Sequence, residues 1–316
     1  MAISKSQERR ASLALSGTGR SDKINSSPGL DAAYFHSDWT WKDRCVAWVE
    51  NYTATRQDAF VAANAAAIRE VLRNKELSPR MVVNIGADAL AKFLKDGSYK
   101  NAYERPVLMG REVGPSRTRH RVDTLLGFHK GAAKKIYFGA VALGGTGVRF
   151  YGEYCMALRP SKKDNIILRL LDRNSYDLIK PPLARRARNS SFVNRLRGRW
   201  SKDLANILIL KVMPKLEVGN RLVTSGTVAE AVLQDEDFIE VHRTGTFGPA
   251  DLEEVREAPQ DAALEGDIVA KHDRGHLPTG AEFLFVARRW RAQELMSEHQ
   301  VRPRMVVSAG RTARWG

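Results

Sequence analysis

The residues best typed for chemistry lie in "DFIEVHRTGTFGPADLEEV", residues 237–255. Phe238, Glu240 and His242 alternate with Ile239 and Val241, a period of two that makes a strand with Glu240 on its more polar face. A carboxylate so placed is either a surface ion-pair partner or a group that stabilises developing positive charge. The acidic turn "QDED" just before it, which contains Asp235, and an arginine-rich block earlier in the chain favour the second role. A different chemistry is offered by "RTRHRVDTLLGFH", with Arg117, Arg119, His120, Arg121 and His129. Histidine that titrates near neutrality beside arginine that holds phosphate is the composition of a metal-independent RNase. His272 and His276 have the spacing of helical metal ligands, but Gly275 and Pro278 make that stretch a loop and no third ligand stands near, so no metal site is expected. The "GGTG" at 144–147 lacks the Gly-Lys-Ser/Thr of a phosphate loop and precedes a strand rather than a helix.

Charge narrows the partners. The 316-residue chain carries a net charge of +15, unevenly spread. Residues 131–220 hold 18 Lys/Arg against 6 Asp/Glu, whereas residues 221–316 hold 12 against 16. A concentrated basic block is a surface for phosphates, of a nucleic acid or of a cofactor. Its densest part, "PPLARRARNSSFVNRLRGRWSKD" at 181–203, contains Arg185, Arg186, Arg188, Arg195, Arg197 and Arg199, with no acid before Asp203. Phe192, Leu196 and Trp200 recur at helical spacing, so its second half reads as an amphipathic helix ringed by arginine. That helix is either an ordinary solvated element or a contact for nucleic acid or phosphate, for which arginine suits better than lysine.

The elements that must position these residues fall into three stretches. Residues 1–37, Ser/Gly-rich with few large apolar side chains, read as a mobile leader. Residues 38–130 read as a helical region, with helices at 55–74 and at 86–97, the second closed by Asp96-Gly97. Residues 131–316 read as mainly β with the basic insertion at 181–203. Strands are expected at "KKIYFGAVAL", "RFYGEYCMAL", "NIILRLL", "LANILILKVM", "RLVTSGTVAEAVL", "DFIEVHR" and "AEFLFVARRW", the first two joined as a hairpin through "GGTG". The fold class is therefore α+β, helices first and a largely antiparallel sheet after. No apolar run approaches the length of a membrane span and no secretory signal is evident, so no membrane partner is expected. Cys45 and Cys155 read as buried thiols of a reducing compartment, which makes the protein cytoplasmic.

The order of the motifs resembles a poorly characterised branch of the ADP-ribosyltransferase fold found in bacterial toxins and effectors. The series is "LAKFLKDGSYKNAYE", "RHRVDTLLG", "IYFGAVAL", "RFYGEYCMALRP", "DRNSYD" and "DFIEVHRTGTFGPADLEEV", which covers residues 90–255. The resemblance implies a split sheet and transfer of ADP-ribose from NAD to a macromolecular acceptor. It assigns Glu240 as the carboxylate that stabilises the transition state and Ser175 as a bracing hydroxyl. Arg121, then Arg149, would hold the NAD diphosphate, with Tyr137 and Tyr151 on the strands that form the nicotinamide-nucleotide cleft. Relatives that modify protein arginines carry a second glutamate two residues earlier, and here that place is Phe238. With the basic block nearby, the acceptor expected is RNA or DNA ahead of protein, contacted by the arginines of 185–199 and by Asp235. Such a protein would act as a toxin or effector, open to delivery into a target cell, and would have an antitoxin or immunity protein as a further partner. Two other readings stand beside it: a non-catalytic nucleic-acid-binding protein and the metal-independent RNase.

Overall fold

A computed structural model describes residues 78–104, 115–128, 130–217 and 238–307, together with positions 70, 228 and 232. The leader at 1–37, most of the helix expected at 55–74, most of the strand expected at 221–233, and Asp235 and Cys45 lie outside the described residues. Chain order begins β1 (Arg80–Ile85), α1 (Ala87–Asp96), α2 (Arg117–Leu125), α3 (Lys130–Ala133), β2 (Ile136–Ala142), β3 (Tyr154–Leu158), α4 (Asp164–Ile167) and β4 (Leu168–Leu171). It continues with α5 (Leu183–Arg186), α6 (Ser190–Leu196), β5 (Arg197–Arg199), α7 (Trp200–Glu217), β6 (Glu240–Thr244), β7 (Leu252–Glu257), α8 (Pro259–Asp273), α9 (Gly280–Glu298) and β8 (Pro303–Met305). The strands form one eight-stranded sheet in the order β5-β4-β6-β2-β1-β3-β7-β8, antiparallel at every junction except β7–β8. The α+β class with a largely antiparallel sheet is what the sequence led us to expect.

The middle of this sheet is forked. β1 and β2 pair only over Arg80–Val82 against Ala140–Ala142. Beyond that point β1 continues to Ile85 paired with β3 alone, and β2 runs back to Ile136 paired with β6 alone. Gly139 sits where the two strands part. A Cβ there would stand 2.5 Å from the Val82 carbonyl oxygen, so only glycine lets the backbones approach this closely.

Several elements differ from expectation, each for a physical reason. β1, the centre of the sheet, comes from the stretch read as helical. Its "RMVVNI" is a short, mostly apolar stretch between Pro79 and Gly86, which periodicity alone does not assign. "LANILILKVM" and "AEFLFVARRW" are helical, in α7 and α9, because each apolar run continues into a longer helix; α9 opens on a Thr279–Glu282 capping box. "NIILRLL" divides into α4 and β4. The amphipathic helix expected through Phe192, Leu196 and Trp200 is broken after Leu196 by β5, the edge strand of the sheet. The helix at 86–97 forms as expected, with Gly97 at φ 68° as its left-handed cap and its N–H bonded to the Phe93 carbonyl.

The glycine-rich connector is not a hairpin. β2 and β3 are both partners of β1, so the chain between them crosses the end of that strand. Asn84 on β1 fastens the crossing: its Nδ2 donates to the carbonyls of Thr146 (2.9 Å) and Gly152 (3.1 Å), and its Oδ1 accepts from the Val148 N–H (2.8 Å). Gly147 has φ 67°, and a Cβ on it would fall 2.1 Å from the Asn84 Oδ1. Gly147→Ala therefore combines left-handed strain with loss of the Asn84 anchor, and we expect a loss of about 3 kcal/mol in urea unfolding. A change below about 0.5 kcal/mol, the size of an ordinary surface substitution, would show that the crossing does not depend on this contact.

Candidate functional site

The fork opens into a cleft of about 370 Å³, lined on one side by β1 from Val82 to Ile85 and on the other by Phe138–Ala140 of β2 and Glu240 of β6. Tyr151, Tyr176 and Arg119 close its walls. Glu240 starts β6 directly beside β2, opposite Ala140, and is 4% exposed. Phe238, two residues earlier, also lines the cleft and packs edge-on to Tyr151.

Both carboxylate oxygens of Glu240 are engaged. Oε2 accepts from the Ser175 backbone N–H at 3.0 Å, and Oε1 lies 2.7 Å from His242 Nε2. A carboxylate only accepts, so the imidazole carries its proton on Nε2. His242 is itself buried, held edge-on between Phe128 and Phe138, and its Nδ1 has no partner. Burial pushes the Glu240 carboxyl up, but the hydrogen bond from His242, the charge of Arg119 and the Ser175 N–H outweigh it. Glu240 is held below the usual glutamate range. It is a buried carboxylate kept ionised.

Arg119 reaches the cleft from α2. Its guanidinium lies 3.6 Å above the centre of the Phe138 ring, and its Nη1 points to the Ser175 hydroxyl at 3.4 Å. Nε donates to Asp123 Oδ1 at 2.8 Å, and Nη2 reaches the same oxygen. Asp123, 1% exposed, also accepts from the Tyr103 hydroxyl at 2.6 Å. Desolvation lowers the Arg119 pKa, but the Asp123 bond and the charge of Glu240 outweigh it, so Arg119 is a permanent cation. No other cation lines the cleft among the described residues.

Of the residues singled out in the sequence, Glu240 and Tyr151 line the cleft, and Ser175 is buried behind it against the Glu240 carboxylate. Ser175 braces Glu240 through its backbone N–H rather than its hydroxyl, at the head of a 3-10 turn (Ser175–Ile179) that Asn174 caps. Arg121 is a correction: it lies on the exposed side of α2, and the arginine two residues earlier faces the cleft. Arg149 is a second, because it is buried in an ion pair with Asp261 of α8 (2.6 Å) and lines no part of the cleft. Tyr137 is a third: it alternates away from Phe138, and its hydroxyl donates to Glu104 at 2.8 Å. Of the RNase constellation, Arg117, His120 and Arg121 are exposed on α2 and Arg119 faces the cleft, while His129 lies outside the described residues. Two partners that the reading passed over have a sequence signal. Arg119 and Asp123 stand at i, i+4 on one helix, and His242 stands two residues from Glu240 on one strand.

The arginines of 181–203 are spread over α5, α6, β5 and the turns between them. Arg185, Arg188, Arg195 and Arg199 are exposed, and Arg186 lies 4.3 Å over the Phe192 ring. Arg197 departs from its expected role at the surface. It is half-buried, bonded to the Leu126 carbonyl at the end of α2, and its pKa is lowered by desolvation. Cys155 is a buried thiol as expected, and burial pushes it up to about 12. Among the described residues no helix is long and apolar enough to cross a membrane, and no cluster of three or more His, Cys, Asp or Glu is placed to hold a metal ion.

No family model matches the chain, and no curated protein or solved structure matches it. The reading of the site therefore rests on its own geometry.

Proposed function

We propose that the protein is a mono-ADP-ribosyltransferase that moves ADP-ribose from NAD to a macromolecular acceptor, nucleic acid ahead of protein. The observation that carries this reading is a glutamate kept ionised in a buried position at the cleft formed where two central strands part. A water-poor carboxylate of fixed orientation stabilises positive charge far better than a solvated one. In the proposed reaction the bond between nicotinamide and the ribose C1′ breaks, and its electron pair leaves with nicotinamide. Glu240 accepts from the ribose 2′-hydroxyl and offsets the oxocarbenium-like charge. An acceptor oxygen or nitrogen then bonds to C1′ and releases its proton.

The remaining groups have matching tasks. Ser175 N–H and His242 Nε2–H fix the plane of the carboxylate. Arg119 supplies the cation for the dinucleotide's diphosphate. Tyr151 and Tyr176 offer ring faces for a nicotinamide or an adenine. Phe238 in place of a second carboxylate is consistent with an acceptor other than a protein arginine.

The test is incubation with NAD labelled in its adenylate half, together with a cell lysate. Release of nicotinamide is expected, with label in macromolecules that nuclease removes. Label removed by protease alone would reassign the acceptor to protein. No nicotinamide above the buffer blank at millimolar NAD would overturn the reading.

A further inference from the structure

The register of the sheet edge sets up an electrostatic conflict within the fold itself. β4 pairs with β5 so that Arg169 stands directly opposite Arg199, and Leu171 opposite Arg197. Like charges directly opposed across an antiparallel pair destabilise it. Both arginines are exposed. Arg169 gives its Nη1 to the carbonyls of Asn165 and Leu168, both at 3.0 Å. The nearest acid in sequence, Asp203, is taken by the Arg199 backbone N–H at 2.8 Å. Arg185 and Arg188 add two more exposed charges from α5 and the turn after it. Among the described residues no carboxylate pairs with the side chain of Arg169, Arg185, Arg188 or Arg199. Four unneutralised arginines, two opposed in register and two on the segment whose Leu183 and Ala187 share a core cluster with Leu196 beside β5, leave an anion to be supplied from outside.

We infer that this edge binds the phosphate backbone of a nucleic-acid strand and leads that strand to the cleft. Three features tie the edge to Glu240. β4 also pairs with β6, which sets Leu171 opposite Glu240 and Arg169 opposite His242. Arg169 and Arg199 therefore share the sheet face of Glu240 and His242. At about 4.8 Å per strand, Arg199 lies roughly 10 Å from the His242 position. The arginines are also rigidly mounted, because Leu183, Ala187, Val193 and Leu196 pack with Leu178 of the turn whose Ser175 N–H holds Glu240. Arg197, bonded to the end of α2, is a tie within the protein and not one of the contacts. A strand fits better than a single anion, since the charges stand on separate elements, β4, β5 and the α5 segment. The inference deepens the acceptor side of the proposed transferase, but binding needs neither NAD nor transfer.

The experiment measures binding of fluorescent oligo(U) and oligo(dT) to the full chain, without NAD, over a series of salt concentrations. Each phosphate neutralised contributes roughly 0.7 to the log–log slope for single strands. Replacing Arg169, Arg185, Arg188 and Arg199 together with glutamine is expected to flatten the slope by about two to three units. A control that removes four charges elsewhere, at Arg274, Arg291, Arg302 and Lys271, is expected to leave it within one unit. Thermal melting of both variants reads folding, and single replacements serve if the quadruple one does not fold. Tighter binding of one oligomer identifies the acceptor as RNA or DNA. Equal flattening in the control, or competition by polyglutamate at the same charge concentration, would overturn the inference. Failure of the NAD reaction with this slope intact would overturn the transferase reading alone.

Discussion

Glu240→Gln is expected to slow release of nicotinamide from NAD by about 10²-fold or more, since the substitution keeps the shape and removes the charge that faces the transition state. It is not silent for stability. The glutamine carbonyl still accepts from Ser175 N–H, but its amide N–H₂ then faces His242 Nε2. The imidazole must become an acceptor there and carry its proton on Nδ1, which is buried with no partner. Leaving that donor unsatisfied costs about 1–3 kcal/mol. A cleft carboxylate without such neighbours would have been replaced almost freely. The pH dependence has a defined sign. The folded pKa of Glu240 is depressed, so its stabilising contribution is fully present above the unfolded glutamate value and is lost as pH falls through the folded one. The stability gap between the two proteins should therefore hold at neutral pH and close only below the usual glutamate range. Unchanged nicotinamide release in the variant would move the chemistry away from this residue.

The strand that bears Glu240 was legible because alternation over five residues is a period-two signal with turn residues on both sides. The order of motifs led to Ser175 and Tyr151 for the same reason: each sits in a short stretch whose neighbours also carry pattern. The cation was not legible. Arg119 and Arg121 stand two residues apart on α2, and only the helical phase, fixed by the burial of Val122 and Leu126, turns Arg119 inward and Arg121 outward. Arg149 was misleading because a buried ion pair uses the same residue type as a diphosphate site, and its partner Asp261 is 112 residues away. β1 was missed because a six-residue stretch between a proline and a glycine, with only four apolar side chains, fits a buried strand or a buried helix turn alike. Pairing with β2 on one side and β3 on the other decides the matter, and that information is non-local. The hairpin between β2 and β3 failed likewise, since nothing in "GGTG" announces that another strand will lie between its flanks.

Arg119 gives the sharpest division between stability and binding. Arg119→Gln strips the buried Asp123 carboxylate of its ion-pair partner, leaving it with the Tyr103 hydroxyl alone. Breaking a buried pair from one side costs about 3–5 kcal/mol. The double variant Arg119→Gln/Asp123→Asn removes both charges and keeps both shapes, so most of that loss should return. If Arg119 is the cation for the dinucleotide's diphosphate, the double variant should fold like the parent and still fail to respond to NAD. The parent should gain stability as NAD rises, by about 2.7 kcal/mol at one hundred times the dissociation constant. Arg121→Gln is the matched control: same helix, same charge removed, but an exposed side chain outside the cleft. It should keep the full response to NAD. Melting curves for the four proteins, with and without NAD, separate the roles. A double variant that still gains stability with NAD would show that Arg119 serves only to order Asp123 and Ser175, and that the diphosphate is held by another group.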